Sequence, residues 1–429
     1  MSNVPMTRPE EALAIHDQSY GHSLTFVGLD DGKILLSNGR IFRSSDDRGL
    51  TWGEEFGVET ADGAALEGNA SLVKLSGGAI GIATMRKRPS STYDTEMVFR
   101  RSDDGGLTWS AARPMNEGLL PSHAYQDAFL RTSSGRIILP VYFAIGQGSW
   151  HHEEAPFVGG YINGKFVSSD AHFYDPHFCA CYVLYSDDDG ETWTKNRDGE
   201  LFINLEPGGF QDWTAEPSVA EVSPGKLLMM MRTRLGRLYQ SWSEDNGESW
   251  SRPEPSQLAG TQAPAQVRTF PSGNLLVVWT QQSEDEIRQG LIRTRLSSAI
   301  SRNGGGIWEF FQNVESIHEE THVAPPPIDI VLPEGSYSVH QGPAYDTDPQ
   351  HQVPLPEGYG RWSYPSVYVG EDRVLISHTY SVHDSDTGEV ADMGGSKLKV
   401  LPISWFYGGE EQAEKSFLLE KIEALPPRP

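Results

Sequence analysis

Cysteine is nearly absent: Cys179 and Cys181 are the only two in 429 residues. Two positions apart, they are poorly spaced for a mutual disulfide, and nothing else marks an oxidising compartment. Basic residues are also scarce, 34 Lys and Arg against 59 Asp and Glu, for a formal net charge of −25. A field of that sign repels phosphate backbones and argues against a nucleic-acid partner. It leaves room for a locally basic pocket that takes a small anion. No apolar run approaches the ~20 residues of a membrane-crossing helix, so no membrane partner is expected. The opening stretch, MSNVPMTRPEEALA, lacks the apolar core of a signal peptide, and a cytoplasmic location is the expectation. Also missing are a Gly-rich phosphate loop, a nucleophile elbow and a His-Glu-x-x-His pair, so nucleotide and ester hydrolysis are not suggested.

What is present is repetition. Ser102 to Trp109 reads SDDGGLTW, Ser45 to Trp52 reads SDDRGLTW, Ser186 to Trp193 reads SDDDGETW and Ser243 to Trp250 reads SEDNGESW. A worn fifth copy, SRNGGGIW, runs from Ser301 to Trp308. The common form, Ser-x-Asp-x-Gly-x-Thr-Trp, suits a tight β-hairpin. Its Asp accepts backbone N–H bonds, its Gly takes a positive φ and its Trp packs the returning strand. A second repeat interleaves with the first. Glu216-Pro217-Ser218-Val219 and Tyr364-Pro365-Ser366-Val367 each precede a Gly or Asp turn and a short apolar strand. Weaker copies begin near His22, Asn69, Gln126 and Ala263, which makes six. The motif tryptophans are spaced by about 57, with one interval longer by roughly 27. Strand-rich repeats of that period predict an all-β, six-bladed β-propeller.

The expected organisation is an N-terminal arm over 1–19, the propeller over 20–408, and a C-terminal tail over 409–429. Two insertions interrupt the propeller, at about 146–179 and 310–360. The first holds His151, His152, His172 and His177. Insertions gather at one rim of such folds, often the binding face. His172, His177, Cys179 and Cys181 are suitable metal ligands but match no compact zinc signature. No cofactor is expected otherwise.

The eight-residue turn is the Asp-box, and the chain resembles the sialidase (neuraminidase) superfamily, in particular its bacterial BNR-repeat, sialidase-like branch. The resemblance covers roughly residues 20–408. It implies a site on the propeller axis, with arginines gripping a substrate carboxylate, a tyrosine nucleophile, a glutamate that takes the tyrosine proton and an aspartic acid on a loop. By position, Glu216 matches the glutamate, Tyr364 the nucleophile region, Arg232 one arginine and Arg293 or Arg295 another. The family's first arginine should open blade one, where this chain has Tyr20-Gly21-His22-Ser23-Leu24.

Taken on their own chemistry, these residues have plainer readings too. Glu216 at the head of a strand can simply accept hydrogen bonds from an adjacent blade, and Tyr364 can be a core aromatic with a satisfied hydroxyl. Arg232 follows three methionines, so its guanidinium needs an anion, and Glu216 itself can be that anion. Asp94 and Asp62, from loops flanking blade two, are the candidate acids. His123 and Asp127 flank the axial position of blade three. With His22, Asn69 and Gln126 they complete the candidate substrate-binding set. The expected activity is hydrolysis of a glycosidic bond in an acidic or related sugar, with a glycan or small carbohydrate as partner. The alternatives are a non-catalytic carbohydrate-binding propeller and a polysaccharide lyase acting on uronic acids.

Overall fold

Each Asp-box closes on itself through its own side chains. In the second copy, Thr108 donates to Asp104 twice, from its backbone N–H (2.9 Å) and from its hydroxyl (2.6 Å). The Gly106 N–H donates to Ser102 Oγ (2.9 Å), and Trp109 Nε1 donates to the Gly106 carbonyl (3.0 Å). The same amide bond recurs at Asp47, Asp188 and Asp245, each at 2.8 Å. Burial alone would raise these carboxyls. The Thr or Ser hydroxyl and the backbone amide more than offset it and hold all four below the usual carboxylate range. In the worn copy Asn303 accepts the Ile307 N–H at 2.8 Å. The backbone bond therefore survives the loss of charge, while the hydroxyl bond and the Trp308 indole bond are gone.

The computed structural model describes residues 11–17, 24–66, 69–87, 95–116, 122–125, 127–146, 159–162, 165–168, 177–204, 211–212, 214–233, 235–261, 263–288, 293–326, 337–338, 342–343, 360–383 and 390–409. They form six antiparallel sheets around one axis, a six-bladed β-propeller. Blade four is the plainest, with strands Ala215–Ser223, Lys226–Arg232, Arg237–Ser243 and Glu254–Ala259 in sequential order. Blade five repeats it with Gln266–Thr269, Leu275–Thr280, Arg295–Ser301 and Glu309–Ser316. The first strands of successive blades lie side by side, closing a complete circle from blade one back to blade six. Six apolar clusters fill the joints between neighbouring blades. The core is thus a set of six wedges, each shared by two sheets.

The Asp-box glycines explain part of that wedge packing. Gly49 follows the third strand of blade one, Phe42–Ser45, and a Cβ there would lie 2.6 Å from Leu375 of blade six. Gly190 of blade three has φ +88°, and a Cβ there would overlap the Phe99 ring of blade two. The turn therefore does more than end a strand, because it seats one blade on the blade before it.

The ends of the chain differ from the sequence reading. The stretch expected as an arm contributes Ala14–Asp17, which pairs antiparallel with Val390–Pro402 as the outer strand of blade six. That strand covers an edge which would otherwise offer unpaired backbone groups. Blade one has three strands, and its outer edge carries a single bridge from Phe42 to Phe56. Residues 310–316, read as the start of an insertion, belong to the outer strand of blade five. The tail beyond 409 lies outside the described residues.

Candidate active site

Strand direction separates the two faces of the ring. In blade four the first strand starts, and the second ends, at the Glu216 end, where Ala215 pairs with Arg232. The Asp-box joins the third strand to the fourth at the opposite end. Gly146 pairs with His177 at the Glu216 end, so the large insertion of blade three leaves the sheet on that face.

The Glu-Pro-Ser-Val and Tyr-Pro-Ser-Val stretches fold alike. In blade four the register steps from Ala215–Arg232 to Ser218–Met230, so Glu216 and Pro217 together oppose Met231. In blade six it steps from Ser363–Thr379 to Ser366–Ser377, and Tyr364 and Pro365 oppose His378. Each is a β-bulge, a place where proline is tolerated because the extra residue leaves the ladder. Glu216 has φ +43° and Tyr364 φ +56°. Left-handed backbone costs such residues on the order of 1–2 kcal/mol, and strain of this kind clusters at functional sites. Asn69, at the head of blade two, shares it with φ +59° and stands exposed.

The two bulges bring their side chains together. Arg232 Nη1 donates to Glu216 Oε2 at 2.6 Å, and both side chains are buried. Tyr364 Oη lies 3.5 Å from Glu216 Oε1 and 3.5 Å from Arg232 Nη1. The Arg293 guanidinium carbon sits 5.3 Å from the centre of the Tyr364 ring, within cation–π range. Burial opposes the charge on Arg232, but the Glu216 carboxylate outweighs it and holds the guanidinium above its ordinary range. The anion that Arg232 needed is Glu216, as one reading of the sequence anticipated.

Three tyrosines surround this carboxylate, and they are not equivalent. Tyr125 and Tyr142 are fully enclosed, and burial, followed by the Glu216 charge, pushes both phenols well above their normal range. They stay protonated. Tyr364 is only partly buried and carries the guanidinium contacts. Tyr125 and Tyr142 were missed because nothing local distinguishes them from core aromatics.

Other candidates fall elsewhere. Asp62 accepts from Arg100 Nη1 (2.8 Å) and from the Ala112 amide (3.0 Å), and these bonds hold its carboxyl far below the usual range. It stands beside the Asp-box strand of blade two, where Glu59–Thr60 pairs with Thr108–Trp109. The structure therefore removes it as an acid. Arg295 is the arginine that does not reach the axis: it is buried against Glu286 of the short helix Glu284–Arg288 and donates to the Glu320 carbonyl. His123 stacks on Tyr142 (5.3 Å between centroids), with Nε2 3.2 Å from Thr95 Oγ1, and burial lowers its pKa to about 4. Asp127 is buried on the axis, bonded to Thr25, Phe26, Val367 and Arg268, which leaves it facing blades and not the mouth.

Asp127 also corrects the register of blade three. Inter-blade bonds run from Leu72 N to Thr25 Oγ1, from Ala128 N to Ser71 Oγ and from Val267 N to Ser218 Oγ. They align Thr25, Ser71, Asp127, Ser218 and Gln266. On that alignment Tyr125, not Gln126, is the counterpart of Glu216. Gln126, His22, Asp94, His151, His152 and His172 lie outside the described residues, and of His177 only the backbone is described. Cys179 and Cys181 are buried on one strand and are not joined in a disulfide. Among the described residues, no three His, Cys, Asp or Glu side chains converge as a metal centre would require.

A family model described as a BNR repeat-like domain matches residues 37–376. A sialidase of Paraclostridium sordellii is 28% identical over 165 residues, 35% of this chain and 36% of that protein, so the match spans about a third of the relative's length. Among solved structures, a Hadza microbial sialidase is similar with a TM-score of 0.51 at 15% identity, covering 94% of this chain and 68% of that one. The NanB sialidase of Streptococcus pneumoniae gives 0.52 at 11% identity, over 94% and 70%. A protein of unknown function from Dyadobacter fermentans gives 0.53 at 16% identity, over 93% and 100%. At these identities the structural likeness establishes the fold alone.

Proposed function

The chain belongs to the BNR repeat-like family, and from that premise we propose that it is a glycoside hydrolase for an acidic sugar, with Tyr364 as nucleophile and Glu216 as the base that takes its proton. The observation that carries this reading is the Tyr364–Glu216–Arg232 cluster, with a carboxylate oxygen 3.5 Å from a partly exposed phenol. A neutral phenol attacks poorly near pH 7, since its ordinary pKa is about 10. A carboxylate within reach removes the proton as the bond to the anomeric carbon forms, and the leaving group departs with the electron pair of the glycosidic bond. Arg232, which donates to Glu216 Oε2 at 2.6 Å, supplies the cation that pairs with this carboxylate. Arg293, with Arg232, makes the site cationic within a chain of net charge −25, which favours a substrate carrying its own carboxylate. Sialic and uronic acids both fit that description.

The test is turnover on a glycan panel of sialosides, uronides and neutral sugars, with released sugar as the readout. Tyr364→Phe and Glu216→Gln should each lower kcat by about 100-fold or more while far-UV circular dichroism is unchanged. The double variant should lose little beyond either single one. Near-normal turnover in Tyr364→Phe would overturn the nucleophile assignment. An unsaturated product would identify a lyase instead.

A further inference from the structure

The peptide groups just beyond Tyr364 are held from across the axis. Tyr125 of blade three donates its hydroxyl to the Pro365 carbonyl of blade six, and its ring lies 5.9 Å from that of Tyr364. Two residues on, Val367 lies in the edge strand of its sheet, with no ladder partner on the axial side among the described residues. Its N–H donates to Asp127 Oδ2 at 3.2 Å, and its carbonyl accepts from Arg268 Nε at 3.1 Å. Asp127 and Arg268 are themselves an ion pair at 2.9 Å. The pair therefore does for Val367 what a paired strand would do, offering an acceptor and a donor at ladder spacing.

Arg268 reaches the other bulge as well. Its Nη1 lies 3.5 Å from Ser218 Oγ, two residues after Glu216. That same hydroxyl receives the Val267 N–H and contacts the Gln266 side chain at 3.2 Å. One guanidinium thus touches both Pro-Ser-Val segments, the one behind Glu216 and the one behind Tyr364. Neither bulge is fixed by its own ladder, since the register breaks in both. Both head residues also hold a left-handed backbone that must be over-determined from outside to persist.

From this arrangement we infer that Tyr125, Asp127 and Arg268 are positioning residues, a clamp across the axis that fixes the two bulges and so sets the separation of Glu216 and Tyr364. The clamp does not touch substrate. It acts through the peptide groups of Pro365 and Val367 and through Ser218. The structural part stands whether or not the chain is a glycosidase, and its catalytic consequence rests on the reading of Tyr364 as nucleophile.

Two variants of the full chain separate these claims. Tyr125→Phe keeps the ring and removes only the donor, and Arg268→Gln removes the cation between the bulges. Amide hydrogen exchange should quicken about tenfold or more in peptides spanning 363–367, and with Arg268→Gln also in 216–219, while the outer strands keep their rates. Unchanged exchange there, or a uniform rise through all six blades, overturns the clamp. On a cleaved substrate, Tyr125→Phe should lower kcat by about 10-fold or more with KM within about twofold. In a Tyr364→Phe background it should add less than about twofold, because its effect passes through that residue. A raised KM with unchanged kcat would make Tyr125 a substrate contact and overturn the positioning role. If Tyr364→Phe itself keeps full turnover, the nucleophile assignment fails, and the exchange result alone decides the clamp.

Discussion

At the scale of single residues, the buried Glu216–Arg232 pair sets the first expectation. Arg232→Ala leaves a carboxylate enclosed without its cation, which costs about 3–5 kcal/mol. Chemical denaturation should show this as a lower midpoint with an unchanged slope, and a variant as stable as the parent would deny the pair its structural part. His123 supplies a pH dependence whose sign is fixed by burial. Its pKa falls from 6.5 to about 4 in the folded chain. Between those values the unfolded state binds a proton that the folded state refuses, so stability is lost as pH falls from 6.5 towards 4. The loss is on the order of 3 kcal/mol for a full shift of that size. His123→Gln, which keeps a polar group near Thr95, should flatten that limb of the stability–pH curve. An identical acid limb in the variant would assign the dependence to other groups.

Elements carry a different kind of information, and here the sequence was most transparent. The Asp-box is readable because all its bonds lie within eight consecutive residues. The Glu-Pro-Ser-Val and Tyr-Pro-Ser-Val heads are readable as a repeat because the same four-residue pattern recurs in two blades, but the bulge in each is seen only in the register of the sheets. Their partners across the axis were not readable. Tyr125 meets Pro365 at a separation of 240 residues, and Arg268 lies in a short strand with no local feature to single it out. Asp62 and Arg295 misled for the related reason that a loop aspartate or strand arginine does not disclose its ion-pair partner. Two turn glycines offer a paired test at this scale, Gly190 in an Asp-box and Gly225 in the hairpin between the first two strands of blade four. Gly225 has φ +80° and open space where a Cβ would go, whereas Gly190 has φ +88° and the Phe99 ring in the way. Gly225→Ala should cost about 1–2 kcal/mol from backbone strain alone. Gly190→Ala adds the overpacking of a two-blade wedge, about 1–3 kcal/mol more. Equal costs from thermal or denaturant unfolding would show that the turn does not seat blade three on blade two.

For the whole molecule, the number of blades was legible from the repeat, but the way the ring closes was not. Ala14–Asp17 is four residues of mixed polarity, and its partner strand is the distant Val390–Pro402. No periodicity in so short a segment predicts such a pairing. Removing residues 1–17 should expose the outer edge of blade six and lower the unfolding temperature by several degrees. Faster amide exchange should concentrate in Val390–Pro402. A truncated chain with native exchange in that strand would mean that blade six is complete with three strands.

The pairing of two strands so far apart in sequence also imposes an order in time. On a ribosome the strand Ala14–Asp17 emerges well before its partner, Val390–Pro402. At about 5–20 residues per second the wait is roughly 20–75 s. Local hairpins form in microseconds, so five blades have ample opportunity to fold while the sixth is still untranslated. The site matures late as well, since Tyr364 belongs to that last blade and meets Glu216 only when the circle is made. Chemistry and closure thus arrive in the same step, and a nascent chain that stalls before blade six has Glu216 and Arg232 in hand but no phenol to act on.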